Sequence, residues 1–261
     1  MLRSGRVGRS FKPRHPDNVK HPLETVSSNL CYCRSEVKTS MKYLSKNRSI
    51  IYRSRGNRVL HLGCIGFTDL ETAERINLAK KTLHWSLSQI ADVIGVDYSK
   101  EEIEEYKRLG IFDNIINGNV EKLDQLNLTG EFDVIVAGDI IEHISNPGLM
   151  LEGLKRFCNS NTQIVLTTPN AFGLANYIRY MLGRFKEGRE HVMTFNIHNM
   201  ENLLSRYNYT IEEANTCYQP GAERCGILFT IGKKFFETFP RLGGTLFIVA
   251  KSRDIKNNYD Y

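Results

Sequence analysis

Arg58-Val59-Leu60-His61-Leu62-Gly63-Cys64-Ile65-Gly66-Phe67, followed after a helical segment by Val93-Ile94-Gly95-Val96-Asp97, decides the reading of this chain. A short apolar run feeds a glycine-containing turn, and a second apolar run ends in an acid. Strand, turn, helix and strand in that order build the nucleoside-binding crevice of a doubly wound α/β sheet. Gly63 and Gly66 let the backbone approach a ligand where a Cβ would collide. Asp97, at the carboxyl end of the second strand, can accept hydrogen bonds from both hydroxyls of a ribose.

What the loop lacks narrows the ligand. Dinucleotide loops use three glycines and P-loops add a lysine, so that backbone N–H groups cradle phosphates. Here Cys64 stands between the two glycines, bulky Phe67 takes the place of a third, and no G-x-x-x-x-G-K-[ST] occurs. Gly66 and Asp97 are 31 positions apart, beyond the roughly 20 of a dinucleotide fold. One long helix over Asp69–Ala91 is expected to fill that gap. A loop able to hold a nucleoside and a small zwitterionic tail, but not a diphosphate, suits S-adenosylmethionine (SAM).

The chain resembles the class I SAM-dependent methyltransferases, in the broad group that includes quinone-biosynthesis O-methyltransferases and glycan-cluster methyltransferases. Four pieces carry the resemblance in the family's order: His61-Leu62-Gly63-Cys64-Ile65-Gly66, Gly95-Val96-Asp97-Tyr98-Ser99, Gly118-Asn119-Val120-Glu121, and Phe132 through Gly138 continuing into Asp139-Ile140-Ile141-Glu142-His143. Asn146-Pro147-Gly148 and Leu166-Thr167-Thr168-Pro169-Asn170 also fit, and the match spans roughly residues 57 to 253. It implies a doubly wound, mostly parallel, seven-stranded Rossmann-like sheet with an antiparallel last strand. By the same likeness, backbone around His61, Gly63, Cys64 and Gly66 would pass the methionine end, Asp97 and Tyr98 the ribose, Asn119 and Val120 the adenine, and Gly138 would close the strand edge.

Two positions depart from the family pattern. His61 stands where an acid is usual, which bears on the methionine end of the site. Asn119 replaces the aspartate that binds the adenine amino group; its side-chain oxygen can still accept, through an uncharged bond.

An apolar content of 41% and a charged content of 25% are ordinary for a globular protein with a sizeable core. Six cysteines without a signal-like N-terminus or a zinc half-site read as free thiols, so a cytoplasmic location is expected. No apolar run reaches the length of a spanning helix. The charge is lopsided: residues 1–58 hold 14 basic and 3 acidic residues, a net of +11, whereas the rest of the chain nets −5. A basic arm on a mildly acidic domain suits nucleic acid, an anionic membrane or a phosphorylated substrate, or is a solvated tail.

The expected organisation is a basic arm and helical segment over residues 1–56, then a methyltransferase domain over 57–261. Leu23, Val26, Leu30, Val37, Met41 and Leu44 follow helical spacing, as one amphipathic helix or two that pack on the domain or pair a homodimer. Strands are expected at Val59–Leu62, Val93–Asp97, Ile115–Gly118, Val134–Gly138, Gln163–Thr167, Thr210–Asn215 and Gly244–Lys251. Beyond Asp69–Ala91, helices are expected at Lys100–Leu109, Asn146–Cys158, Ala171–Leu182 and Met200–Tyr207. Phe229, Phe235, Phe236 and Phe239 read as core.

Asp139, Glu142 and His143 are spaced i, i+3 and i+4, so a helical turn would give them one face. They could work as acid and base, could hold a divalent metal, or could only cap the turn. His191 follows the fifth strand of the catalytic domain and is a second candidate base or a remote ligand; His198 is a weaker one at the start of a helix. Tyr177 to Arg189 interleaves tyrosines with arginines, which fits an anionic or glycosidic acceptor or a plain amphipathic cover. The expectation is O-methylation of a small-molecule or glycan acceptor, with His143, His191 and Glu142 as catalytic residues and SAM as cofactor; a metal is left open. Methylation of RNA, and SAM binding without turnover as a partner subunit, are the alternatives.

Overall fold

The computed structural model describes residues 40–66, 72–184, 188 and 190–253. In chain order the strands are β1 (Tyr43–Ser45), β2 (Arg58–Leu62), β3 (Asp92–Asp97), β4 (Ile115–Asn117), β5 (Phe132–Gly138), β6 (Cys158–Pro169), β7 (Tyr209–Tyr218) and β8 (Thr245–Ser252). The helices are α1 (Lys46–Ser54), α2 (Thr72–Ala79), α3 (Leu83–Ser88), α4 (Lys100–Arg108), α5 (Pro147–Leu154), α6 (Leu174–Met181), α7 (Ile197–Arg206) and α8 (Ile227–Thr238). One sheet in the order β1-β7-β8-β6-β5-β2-β3-β4 holds all eight strands. Only β8 runs against its neighbours, β6 and β7.

The central strands are apolar at nearly every position because helices cover both faces of the sheet. Successive side chains point to opposite faces, and two cores result. Leu60, Leu62, Ile135, Ala137, Ile164, Leu166 and Ile248 pack on one face with α5 and α7. Val59, Val93, Val134, Val136, Val165, Phe247 and Val249 pack on the other with Ile50 of α1 and Leu87 of α3. Each fully buried side chain of this kind contributes about 1.5–3 kcal/mol of transfer free energy. Local signals agree with this packing. Helix α4 starts with Glu101 and Glu102 and ends with Lys107 and Arg108, charges that complement its dipole. Helix α5 begins at Pro147, whose missing N–H has no partner to lose there.

All seven expected strands are present, and an eighth joins them. Residues 43–45, expected to be helical, form the edge strand β1, which pairs in parallel with β7. Asn215 Oδ1 accepts the Lys42 N–H at 2.9 Å and Lys42 O accepts the Thr216 N–H at 3.0 Å, so local partners override the helical spacing. The sheet domain therefore starts before residue 57. Leu23, Val26, Leu30 and Val37 lie outside the described residues.

The long helix expected over Asp69–Ala91 is two helices. Thr82, in an extended conformation, caps α3 by accepting the Trp85 N–H at 3.1 Å, and this N-cap breaks the run. Residues 69–71 lie outside the described residues. The phenylalanines expected in the core lie on or beside α8, which buries no residue.

The chain lays down β2, β3 and β4 outward, then returns to place β5 on the other side of β2. That reversal opens a crevice at the carboxyl ends of β2 and β5, where α/β sheets bind ligands.

Candidate active site

A cavity of about 740 Å³ opens at this crevice, lined by Gly63, Asp97, Tyr98, Asn119, Gly138 and His143 among others. Gly63 has φ +63°, and a Cβ there would come within 2.6 Å of Ile140 Cδ1, so the turn requires glycine. Gly66, Val120 and Glu190 also line the cavity.

Asp97 is buried, and its carboxylate fixes the surrounding loops. Oδ2 accepts the Ile65 N–H at 2.9 Å and Oδ1 accepts the Ser99 N–H at 3.1 Å. A carboxylate has about four acceptor positions, which leaves each oxygen able to receive one ribose hydroxyl. Asn119 Oδ1 accepts the Glu121 N–H at 2.8 Å as a helix cap, and its second lone pair remains for an amino group.

His61 and Cys64 contribute no side chain to the cavity. The sheet alternation turns His61 to the other face, where its Nδ1 lies 3.3 Å from His84 Nδ1. His84 Nε2 in turn meets Asn114 Oδ1 at 3.3 Å. Burial pushes His61 well below the ordinary imidazole range and His84 down to about 4, so the pair is neutral. The Cys64 thiol is buried, and burial raises its pKa, with Asp97 adding to the rise. A Cβ at Gly95 would come within 2.6 Å of Cys64 Sγ and 2.9 Å of His84 Cε1, so that glycine makes room for both. Of the His61–Gly66 loop, Gly63, Ile65 and Gly66 face the cavity.

The face expected for Asp139, Glu142 and His143 does not form. Residues 139–143 make a turn, with Asp139 at φ +50°, and not a helix. Asp139 Oδ1 accepts the Thr167 hydroxyl at 2.8 Å, and its Oδ2 pairs with Lys46, the first residue of α1. Gln219 completes this cluster, with its Oε1 at 3.5 Å from Lys46 Nζ. Lys46 is only 7% exposed. Nothing in the sequence marks it, because it stands among the many cations of the basic arm and meets a residue 93 positions away.

His191 takes the place that Asp139 was expected to fill. The Val192 and Met193 N–H groups donate to Glu142 O at 2.9 and 3.3 Å, which draws their segment against the turn. The His143 and His191 rings meet edge to face, with centroids 4.7 Å apart. Candidate ligand atoms of Glu142, His143 and His191 all lie within 4.8 Å of one another. Glu142 is buried with neither carboxyl oxygen hydrogen-bonded. Burial, reinforced by Asp139, pushes its carboxyl up to about 7, against smaller opposing pulls from its own backbone N–H, the Thr168 hydroxyl and Lys46, none of which completes a hydrogen bond with it. His198 lies in the first turn of α7, where its N–H donates to Asn196 Oδ1 at 2.9 Å. The sequence profile of the family described as "Methyltransferase domain" matches residues 38–214.

The chain belongs to the class I SAM-dependent methyltransferases. Its cofactor is SAM. A curated relative, the mitochondrial ubiquinone biosynthesis O-methyltransferase of Schizosaccharomyces pombe, is 26% identical over 191 residues, which cover 65% of this chain and 63% of that protein. The magnesium protoporphyrin IX methyltransferase of Synechocystis PCC 6803, solved with bound SAH, is 13% identical with a TM-score of 0.50, covering 79% of this chain and 82% of its own. A SAM-dependent methyltransferase from Archaeoglobus fulgidus is 17% identical with a TM-score of 0.49, covering 79% of this chain and 90% of that one.

Two outcomes follow from this geometry. Asp97→Ala removes the two oxygens left able to accept ribose hydroxyls and frees the Ile65 and Ser99 amides, so SAH affinity measured by calorimetry should fall roughly 10- to 100-fold; unchanged affinity contradicts the ribose role expected of Asp97. Glu142 resists ionisation in the fold but not in the unfolded chain. Its favourable contribution is therefore complete below about pH 4.5 and lost as pH rises to about 7. The stability of Glu142→Gln relative to the parent should grow across that window, by at most about 3 kcal/mol, and then level off. Urea unfolding at stepped pH checks this, and a pH-independent difference contradicts it.

Proposed function

We propose that this enzyme methylates a hydroxyl oxygen of a small-molecule or glycan acceptor. The observation that carries the reading is His143 in the wall of the cofactor cavity, with His191 edge-on to it and Glu142 buried beside them. Methyl transfer from a sulfonium to a hydroxyl runs in line and requires the hydroxyl proton to leave. An imidazole in the wall beside that hydroxyl is a suitable general base to take it. The cavity would contribute positioning and exclusion of water, the larger part of such catalysis. Asp139 also lines the cavity, with Lys46 and Thr167 each bonded to one of its oxygens. The O-methyltransferase named among the relatives is consistent with an oxygen acceptor, and this chain spans 63% of its length.

The closeness of three ligand atoms favours a second reading of the same site. Glu142, His143 and His191 would hold a divalent cation, which would polarise the acceptor hydroxyl as a Lewis acid. The unbonded carboxyl oxygens of Glu142 fit that use.

Labelled SAM with a panel of phenol, catechol and sugar hydroxyls tests both readings. His143→Ala and His191→Ala should each lower turnover, by roughly 10²–10⁴-fold for the residue that acts as base, while SAH affinity stays within about twofold. Full turnover in both variants removes the proposed base. Loss of turnover with EDTA, restored by Mg²⁺, Mn²⁺ or Zn²⁺, selects the metal reading, and indifference to EDTA selects the imidazole alone.

A further inference from the structure

Strands β7 and β8 are antiparallel neighbours whose paired residues run up to Cys217 and Thr245. Such a pair needs only a tight hairpin. The chain instead makes an excursion over residues 219–244 that contains α8, an element the sheet does not require. Helix α8 stands on the sheet edge through two rings seven positions apart: Phe229 packs on Tyr218 and Phe236 on Tyr43, with centroids 5.0 Å apart in each pair. Its remaining apolar residues face outward, although Phe235 also meets the Phe236 and Phe239 rings at 5.3 and 5.2 Å. Ile227 is 76% exposed, Leu228 73%, Ile231 64% and Phe235 39%. Their spacing places them on one stripe, turned away from the Phe229–Phe236 side.

This stripe lies on the edge of the sheet that carries the active site. β7 is parallel to β6, and β6 to β5, so β7 ends and β8 begins at the carboxyl edge. Helix α6 leaves β6 at the same edge and likewise buries no residue; Tyr180, Met181 and Leu182 near its end are all largely exposed. Asn170 Nδ2 donates to Gly243 O at 2.8 Å and ties the bases of the two segments together.

The charge beside the stripe indicates what covers it. Residues 219–244 contain Arg224, Lys233, Lys234 and Arg241 against Glu223 and Glu237. Apolar side chains flanked by cations on one exposed helix are the composition of segments that lie in the interface of an anionic bilayer. Among the described residues no helix is long and apolar enough to cross a membrane. We propose that α8 docks the catalytic rim of this enzyme on an anionic lipid surface, with Ile227, Leu228, Ile231 and Phe235 entering the headgroup boundary and Lys234, beside that stripe, meeting lipid phosphates. Docked in this way, the cofactor cavity opens beside the surface. The inference goes beyond the methyl-transfer reading and is tested without turnover.

Sedimentation of the full chain with phosphatidylglycerol/phosphatidylcholine vesicles, and with phosphatidylcholine alone, tests it. The wild type should sediment with the anionic vesicles at least roughly tenfold more strongly than with the neutral ones, and added salt should weaken the binding. Leu228→Asp with Ile231→Asp should reduce binding at least roughly tenfold, and Lys234→Gln should weaken it selectively on anionic vesicles. SAH titration of each variant shows that the cofactor domain is intact, and failure there would count against the cofactor site and not against docking. Absence of vesicle binding, or equal binding by the Leu228/Ile231 variant, overturns the proposal. A wild-type dimer that ignores vesicles and dissociates in that variant also overturns it, in favour of a second copy on this face.

Discussion

One buried carboxylate organises the cofactor side of this protein. Asp97, at the end of β3, accepts the Ile65 N–H on one oxygen and the Ser99 N–H on the other. The first bond fixes the glycine turn after β2, and the second fixes the start of α4. Its backbone oxygen also accepts the Gly118 N–H at 2.8 Å, which sets the loop after β4. Three segments that line the cavity thus refer to a single residue. A buried carboxylate is tolerable only when its oxygens are hydrogen-bonded, so the site is held in shape before a ligand arrives.

The opposite wall of the cavity depends on an ion pair. Asp139 adopts φ +50°, a conformation that costs a non-glycine residue about 1–2 kcal/mol. The Thr167 hydroxyl and the buried ammonium of Lys46 hold it there. Lys46 belongs to α1, directly after the edge strand β1, so a segment outside the doubly wound core reaches its carboxyl edge. The pair also separates two kinds of acid. Asp139 is bonded to a cation and a hydroxyl; Glu142, three residues on, is bonded to neither, and burial pushes it towards its neutral form.

Much of the fold was legible because buried parallel strands write themselves as continuous Val, Ile and Leu runs, as at Val59–Leu62 and Val93–Val96. The glycine turn was legible because close backbone approach restricts residue type, and Asp97 because an acid at the end of that strand is the residue expected to meet a ribose. Other features had no local signature. β1 is three residues at an edge, too short to display a period, and is specified by Lys42 meeting Asn215 and Thr216. The break at Thr82 rests on one cap that helical spacing conceals. His191 joins Glu142 and His143 through backbone bonds 50 positions away in sequence, while Lys46 withdraws Asp139 from the same group. The phenylalanines near α8 read as core because composition records hydrophobicity and not which face remains uncovered.

The most direct measurement is a crystal structure of the complex with SAH. The account predicts ribose hydroxyls within hydrogen-bonding distance of Asp97, adenine beside Asn119 and Val120, and the sulfur facing the wall that holds His143. SAH bound elsewhere, or with its ribose away from Asp97, would contradict the account at its centre.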